Sequence, residues 1–199
     1  MTTFVKICGL RDEATVAAAV EAGADAVGFV FADSPRQVSV DEARLAARSV
    51  PGSVRRVAVM RHPSSAEWAA VMEGFEPDVL QTDAEDFASL DVPSHIAPWP
   101  VIREGTSAAT GPVPQEFIYE GPVSGSGETV DWKNAASLAR KGRMVLAGGL
   151  DASNVGDAIR AARPWGVDVS SGVESAPGKK DVEKIRQFIG AVRTAETKA

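Results

Sequence analysis

The chain has 199 residues, 44% of them hydrophobic and 24% charged, with a formal charge of −6 at neutral pH. The acidic balance argues against nucleic acid as a main partner, and no run approaches the ~20 apolar residues of a membrane span. A single cysteine forms no internal disulfide, and with only two histidines beside it a zinc site of the usual ligand types is not expected.

Short β-branched runs alternate with alanine-rich helical stretches along the whole length. The first predicted strand, Thr3–Cys8, ends in "VKICGL" and carries the lone thiol. The second, Asp25–Phe31, is apolar on successive residues, as expected of a strand buried on both faces of a parallel sheet. "ADSPRQVS" follows it, and Ser39 with Glu42 then forms a capping box for a helix stopped by Pro51-Gly52. The third strand, Val54–Met60, precedes a second capping box at Ser64 and Glu67, and the fourth, Asp78–Thr82, runs into "QTDAE". The fifth, Ile96–Ile102, is followed by "REGTSAATGPVPQ", too rich in glycine and proline for a regular helix, so the fifth helix is expected to be missing or reduced to a turn. Glu116–Glu120 is the sixth strand, with Asp131 as cap of the helix beyond its loop. Arg143–Ala147 and Gly166–Ser170 are the seventh and eighth. Asp151 is the expected cap between them, and a last helix from Asp181 stripes Val182, Ile185, Ile189 and Val192 along one face.

Eight strands alternating with helices point to an α/β fold, a closed (β/α)8 TIM barrel of minimal size, in one domain spanning residues 1–199. "MTTFVK" does not open a basic segment followed by a long apolar one, so no signal peptide is expected, and the lone thiol suits a reducing cytoplasm. No Gly-x-Gly-x-x-Gly follows the first strand, against a dinucleotide site. Monomer and homodimer both remain open.

In such a barrel the chemistry sits at the C-terminal strand ends. Cys8 there is either a small buried hydrophobe or, with its thiolate at the mouth, a general base. Glu120, at the end of the sixth strand and across the barrel from Cys8, is a candidate general acid. Arg36, stiffened by the preceding proline, offers a planar fork to a carboxylate. "LAGGLDASN" and "DVSSGVESAPGKKD" follow strands seven and eight, where phosphate sites recur in barrels. Gly148, Gly149, Ser170, Ser171 and Gly172 can hold one phosphate there, or simply build tight turns. The "SGSG" at 124–127 is a loop that either closes over a ligand or stays a plain connection. His62, His95 and Trp68 read as surface, loop and packing residues.

Taken together, "VKICGL", "GADAVGFVF", "SPRQVS", "SGSGETVDW", "LAGGLDASNV" and "GVDVSSGVESAPGKKD" resemble the phosphoribosylanthranilate isomerases, from residue 5 to about residue 190 and in the family's order. The resemblance implies a (β/α)8 barrel needing no cofactor and no metal, with a phosphorylated sugar–anthranilate as substrate and an Amadori rearrangement in tryptophan biosynthesis as its reaction. It implies Cys8 as general base and Arg36 near the anthranilate carboxylate. Gln81 and Asp168 are expected to bind substrate too, and the last two loops to hold the phosphate. Two departures stand out. The family's acid is an aspartate where this chain has Glu120, one methylene longer. Its Gln-Leu-His-Gly after strand four is here "QTDAE", with Asp83 for the histidine and Arg61 as a candidate cation to offset it. The readings weighed beside an active isomerase are a non-catalytic phosphate-ligand-binding barrel and an isomerase or epimerase of another sugar phosphate.

Overall fold

The computed structural model describes residues 2–106, 113–122 and 129–197. Eight parallel strands close in sequence order into a barrel: β1 (Phe4–Cys8), β2 (Ala26–Val30), β3 (Arg55–Val59), β4 (Val79–Asp83), β5 (Ala97–Arg103), β6 (Glu116–Glu120), β7 (Arg143–Leu146) and β8 (Gly166–Val169). β8 pairs back onto β1, Val5 opposite Val167 and Lys6 opposite Asp168, which closes the sheet. The eight expected strands are all present, with ends shifted by a residue at most positions.

Helices α1 (Glu13–Ala22), α2 (Val40–Ala46), α3 (Ser65–Phe75), α4 (Trp132–Ala139), α5 (Val155–Ala162) and α6 (Val182–Glu196) follow strands one, two, three, six, seven and eight. Both capping boxes form, at Ser39/Glu42 and Ser64/Glu67, and Asp131 caps α4 through the Lys133 N–H. The expected end of α2 moves, because the helix already stops at Ala46, ahead of Pro51-Gly52. The expected cap of α5 moves as well: Asn154 holds that position, and Asp151 instead accepts from the N–H groups of Ser153 and Asn154 in the turn before it. The fourth unit carries only a single 3-10 turn, Ala84–Ala88. Between β5 and β6 there is no helix among the described residues, and 107–112 lie outside them. A short antiparallel hairpin, β9 (Glu174–Ala176) and β10 (Lys179–Lys180), stands between β8 and α6.

Alternation along each strand builds two cores. Val5, Ile7, Val27, Phe29, Leu80 and Leu146 point outward against the helices. Ala26, Val57, Val79, Trp99, Ile118 and Val145 fill the barrel. Its N-terminal end is plugged around Glu116, which accepts from Trp99 Nε1 at 2.7 Å, Arg55 at 2.8 Å and Arg143 at 3.0 Å. Phe4 stacks on Trp165 beside it, their ring centres 4.4 Å apart. With that end sealed, inward-pointing polar groups higher in the barrel reach solvent only at the C-terminal mouth. Among the described residues no helix is long and apolar enough to cross a membrane.

Candidate active site

A cavity of about 460 Å³ opens at the mouth, and every residue expected in the site except Gly172 lines it. Gly172 is set behind the wall, its Cα packed so closely under the Leu150 carbonyl and Asp151 that a side chain has no room. It fixes the spacing of the seventh and eighth loops.

Cys8 ends β1 with its side chain on the cavity wall and only 6% of the residue exposed. Both readings of the thiol therefore meet in one place: it is buried, yet it faces the opening. The period of two puts Lys6 on the same inward face, one pleat deeper, and Lys6 Nζ donates to Asp168 Oδ2 on β8 at 2.9 Å. Gly28, the partner of Cys8 across β2, gives both side chains their space, since a Cβ there would lie 3.1 Å from Lys6 Cε and 3.2 Å from Cys8 Sγ. Burial pushes the Cys8 thiol above its ordinary range, and the Lys6 ammonium opposes that rise. Burial also works against the charge on Lys6, but Asp168 and Cys8 outweigh it and hold its proton more tightly than usual. Two acceptors that line the cavity, Asp168 Oδ1 beside Lys6 and Gln81 Oε1 on β4 across the barrel, are buried without a hydrogen-bond partner among the described residues, the kind of group that a ligand's hydroxyls satisfy.

On the opposite wall Glu120 pairs with Arg103 of β5, which also donates to Asp83 Oδ1 at 2.6 Å. The cation that offsets Asp83 is thus Arg103, two strands' width from the expected Arg61, which stays exposed at the rim. His62 is half exposed, as a surface histidine should be, but its ring also lies 3.4 Å from Asp83 and 2.9 Å from Asp86. Its hydrogen bond to Asp86 raises its proton affinity. Among the described residues, His62, Asp83 and Asp86 bring three ligand-type atoms within 4.8 Å of one another. Their oxygens are already engaged by Arg103, Thr82 and the His62 ring.

Arg36, expected near a substrate carboxylate, presents its fork in this structure to one of the chain's own: Nε and Nη2 reach Glu174 at 2.7 and 2.9 Å. Lys180 donates to the same carboxylate at 2.8 Å and to the Ser170 carbonyl at 2.9 Å. Burial would raise the Glu174 carboxyl, and these two cations hold it below the usual carboxylate range instead. Ser170 Oγ in turn donates to the Cys8 carbonyl at 3.2 Å. The glycines of the seventh loop adopt positive φ, 95° at Gly148 and 57° at Gly149, a conformation open to glycine and strained for other residues. Asn154 Nδ2 pins the Gly149 carbonyl at 2.8 Å. Gly148, Gly149, Ser170 and Ser171 face the cavity from these loops. The segment at 124–127 lies outside the described residues.

Four site residues escaped the sequence reading: Lys6, Arg103, Glu174 and Lys180. Lys6 was legible from the period of two, standing two positions before Cys8 in a strand already assigned. Glu174 and Lys180 sat inside a quoted motif, but the hairpin that folds them back toward Arg36 has no signature beyond Pro177-Gly178.

A sequence profile of the family described as N-(5′-phosphoribosyl)anthranilate (PRA) isomerase matches residues 5–191. The chain is 41% identical over 206 aligned positions to the N-(5′-phosphoribosyl)anthranilate isomerase of Listeria monocytogenes EGD-e, covering 97% of this chain and all of that one. It is 40% identical to the Bordetella petrii protein of the same name, covering 98% and 97%. Among solved structures, phosphoribosyl anthranilate isomerase from Thermotoga maritima superposes with a TM-score of 0.83 at 30% identity, over 97% of this chain and all of that one. A phosphoribosyl anthranilate isomerase in complex with reduced 1-(o-carboxyphenylamino)-1-deoxyribulose 5-phosphate superposes with a TM-score of 0.80 at 31% identity, with the same coverage.

Proposed function

The chain belongs to the N-(5′-phosphoribosyl)anthranilate isomerase family, and from that premise we propose that it converts N-(5′-phosphoribosyl)anthranilate into 1-(2-carboxyphenylamino)-1-deoxyribulose 5-phosphate, an Amadori rearrangement in tryptophan biosynthesis. The observation that carries the reading is one cavity holding a thiol and a carboxyl on opposing walls, with glycine-rich loops between β7, β8 and their helices along its rim. The sugar phosphate enters with its anionic end on Gly148, Gly149, Ser170 and Ser171, and its carboxylate approaches Arg36.

Glu120, having left Arg103 and taken a proton from solvent, gives it to the furanose ring oxygen as the C1′–O bond breaks, and the anthranilate nitrogen supplies the electron pair that makes the iminium. The Cys8 thiolate then takes the C2′ proton. The electrons of that C–H bond form the C1′=C2′ bond and neutralise the iminium, leaving an enolamine. Protonation at C1′ and loss of the C2′ hydroxyl proton give the ketone, so atoms balance with no co-reactant. Acid and base on opposite sides each contribute on the order of 10²–10⁴-fold, and the grip on both anionic ends adds positioning. Asp168 Oδ1 and Gln81 Oε1 accept from the sugar hydroxyls. Substrate entry parts Glu120 from Arg103, and Asp83 keeps the guanidinium when it does. The reduced thiol that the base requires supports a cytoplasmic location.

The test is direct. Purified protein should consume the fluorescent substrate, and Cys8→Ser and Glu120→Gln should each lose at least a hundredfold in kcat. Full activity of Cys8→Ser would remove the base assignment, and no turnover by the parent protein would remove the reaction.

A further inference from the structure

Lys6 is a charged group with no solvent contact at all, on the inward face of β1 one pleat below Cys8. A lone ammonium at that depth is strongly unfavourable, and an aliphatic side chain would fill the same layer without that penalty. Its position is specific. Nζ is 2.9 Å from Asp168 Oδ2, and its Cε and the Cys8 sulfur share the space that Gly28 leaves open. We propose that Lys6 is a positioning residue for the base: its ammonium, anchored by Asp168, is the counter-ion against which the Cys8 thiolate forms. This rests on the reading of Cys8 as base and adds the group that lets a buried thiol act as one.

The other charges facing Cys8 are accounted for. Asp168 approaches from β8 and disfavours the thiolate, and Lys180 approaches from β10 and favours it. Lys180 is already engaged by Glu174 and by the Ser170 carbonyl, and Arg36 behind it is held by Glu174. β2 contributes Gly28, with no charge. Arg103 and Glu120 compensate each other on the far wall. Lys6 is the cation of this set that shares a strand and a face with the thiol, and its other partner, Asp168, keeps it charged at that depth.

The readout is alkylation of Cys8 by iodoacetamide as a function of pH, which follows the thiolate and needs no turnover. Lys6→Met should slow alkylation at pH 8 at least tenfold and move its midpoint up, with the high-pH plateau unchanged. Because that variant strands the Asp168 carboxylate, Lys6→Met/Asp168→Asn is measured beside it. With both buried charges gone it should fold and still alkylate more slowly at pH 8 than Asp168→Asn alone. The acid limb of kcat/KM should shift in the same direction in each. Because Asp168 itself disfavours the thiolate, Asp168→Asn alone is the reference: a double-variant midpoint no higher than that reference would overturn the proposal, since a purely structural lysine would leave the two equal. Failure of the base assignment itself would appear elsewhere, as an active Cys8→Ser protein with the alkylation curves still displaced.

Discussion

Gly9 joins three parts of the site, and replacing it by alanine tests whether they are held at fixed spacing. Its φ is +74°, where an L-residue is disfavoured by about 1 kcal/mol or slightly more. The added Cβ would also lie 2.7 Å from Arg36 Cδ and 3.1 Å from Ser170 Oγ. Carbon atoms rest ~3.5–4.0 Å apart, so roughly 1 Å of displacement has to be found. Arg36 cannot simply swing clear, because two hydrogen bonds hold its fork on Glu174. The backbone of Gly9 is fixed as well, donating to the Gly28 carbonyl at 2.9 Å. Strain and overpacking together should destabilise the fold by about 2–4 kcal/mol. A shift of ~1 Å among Cys8, Arg36 and Ser170 should lower kcat/KM on the order of 10²-fold. Urea denaturation and fluorescence-monitored substrate consumption measure the two effects. In an Arg36→Ala background the atom at 2.7 Å is gone, so adding Gly9→Ala should reveal mainly the backbone part, ~1–2 kcal/mol. Equal losses in both backgrounds, within ~0.5 kcal/mol, would show that Gly9 and Arg36 do not couple and would refute the reasoning.

Glu116→Gln should destabilise by about 1–2 kcal/mol, discounted because Arg55 and Arg143 are partly exposed while Trp99 is buried. Burial tends to raise this carboxyl, but Trp99, Arg55 and Arg143 hold it below the ordinary range. Its contribution is therefore complete above the unfolded value of ~4.3 and lost as pH falls through the folded one; the variant's urea midpoint should fall less steeply over that acid window. Ser64→Ala removes the acceptor for the Glu67 N–H and breaks the capping box of α3, at about 1 kcal/mol and a Tm lower by ~2–4 °C in calorimetry. Gly172→Ala should part the seventh and eighth loops and raise the Ki of inorganic phosphate as a competitive inhibitor at least tenfold, with kcat less affected.

The barrel was legible because its signals are local. Successive apolar residues in "AVGFV" specify a strand buried on both faces, and Ser39 and Ser64 announce their helices through side chains that bond three residues away. The proline- and glycine-rich stretch after β5 likewise argues against a regular helix, and the described residues there hold none. The short fourth unit was less visible, since "AEDFA" is not hostile to a helix; in the fold Asp86 is held by Thr82 four residues before it and by His62 from the loop after β3. At the site, the residues that end strands were found, and the partners that set their charge were missed. Arg36 and Glu174 are 138 positions apart, and Lys6 and Asp168 are 162 apart. No periodicity spans such distances, and only closure of the sheet brings them together.

On the proposed reading, those partners let an acidic chain present a usable site to a substrate with two anionic ends. Asp168, Glu174, Glu120 and Asp83 are matched by Lys6, Arg36, Lys180 and Arg103, four against four, so the paired groups of the mouth carry no net charge. The pairing is lopsided on both walls. Glu174 has two cations, so Arg36 can turn to a substrate carboxylate while Lys180 keeps Glu174 compensated. Arg103 has two carboxylates, so Glu120 can turn to the ring oxygen while Asp83 keeps Arg103 compensated. Removing the second partner should make each remaining pair hold on, with different kinetic signatures. Lys180→Met should leave Glu174 dependent on Arg36 and raise KM about tenfold or more, with kcat changed less. Asp83→Asn should leave Arg103 dependent on Glu120 and lower kcat by a comparable factor, with KM changed less. Steady-state kinetics on the two variants decides the matter, and matching losses in the same parameter would mean that the two walls do not release their ligands independently.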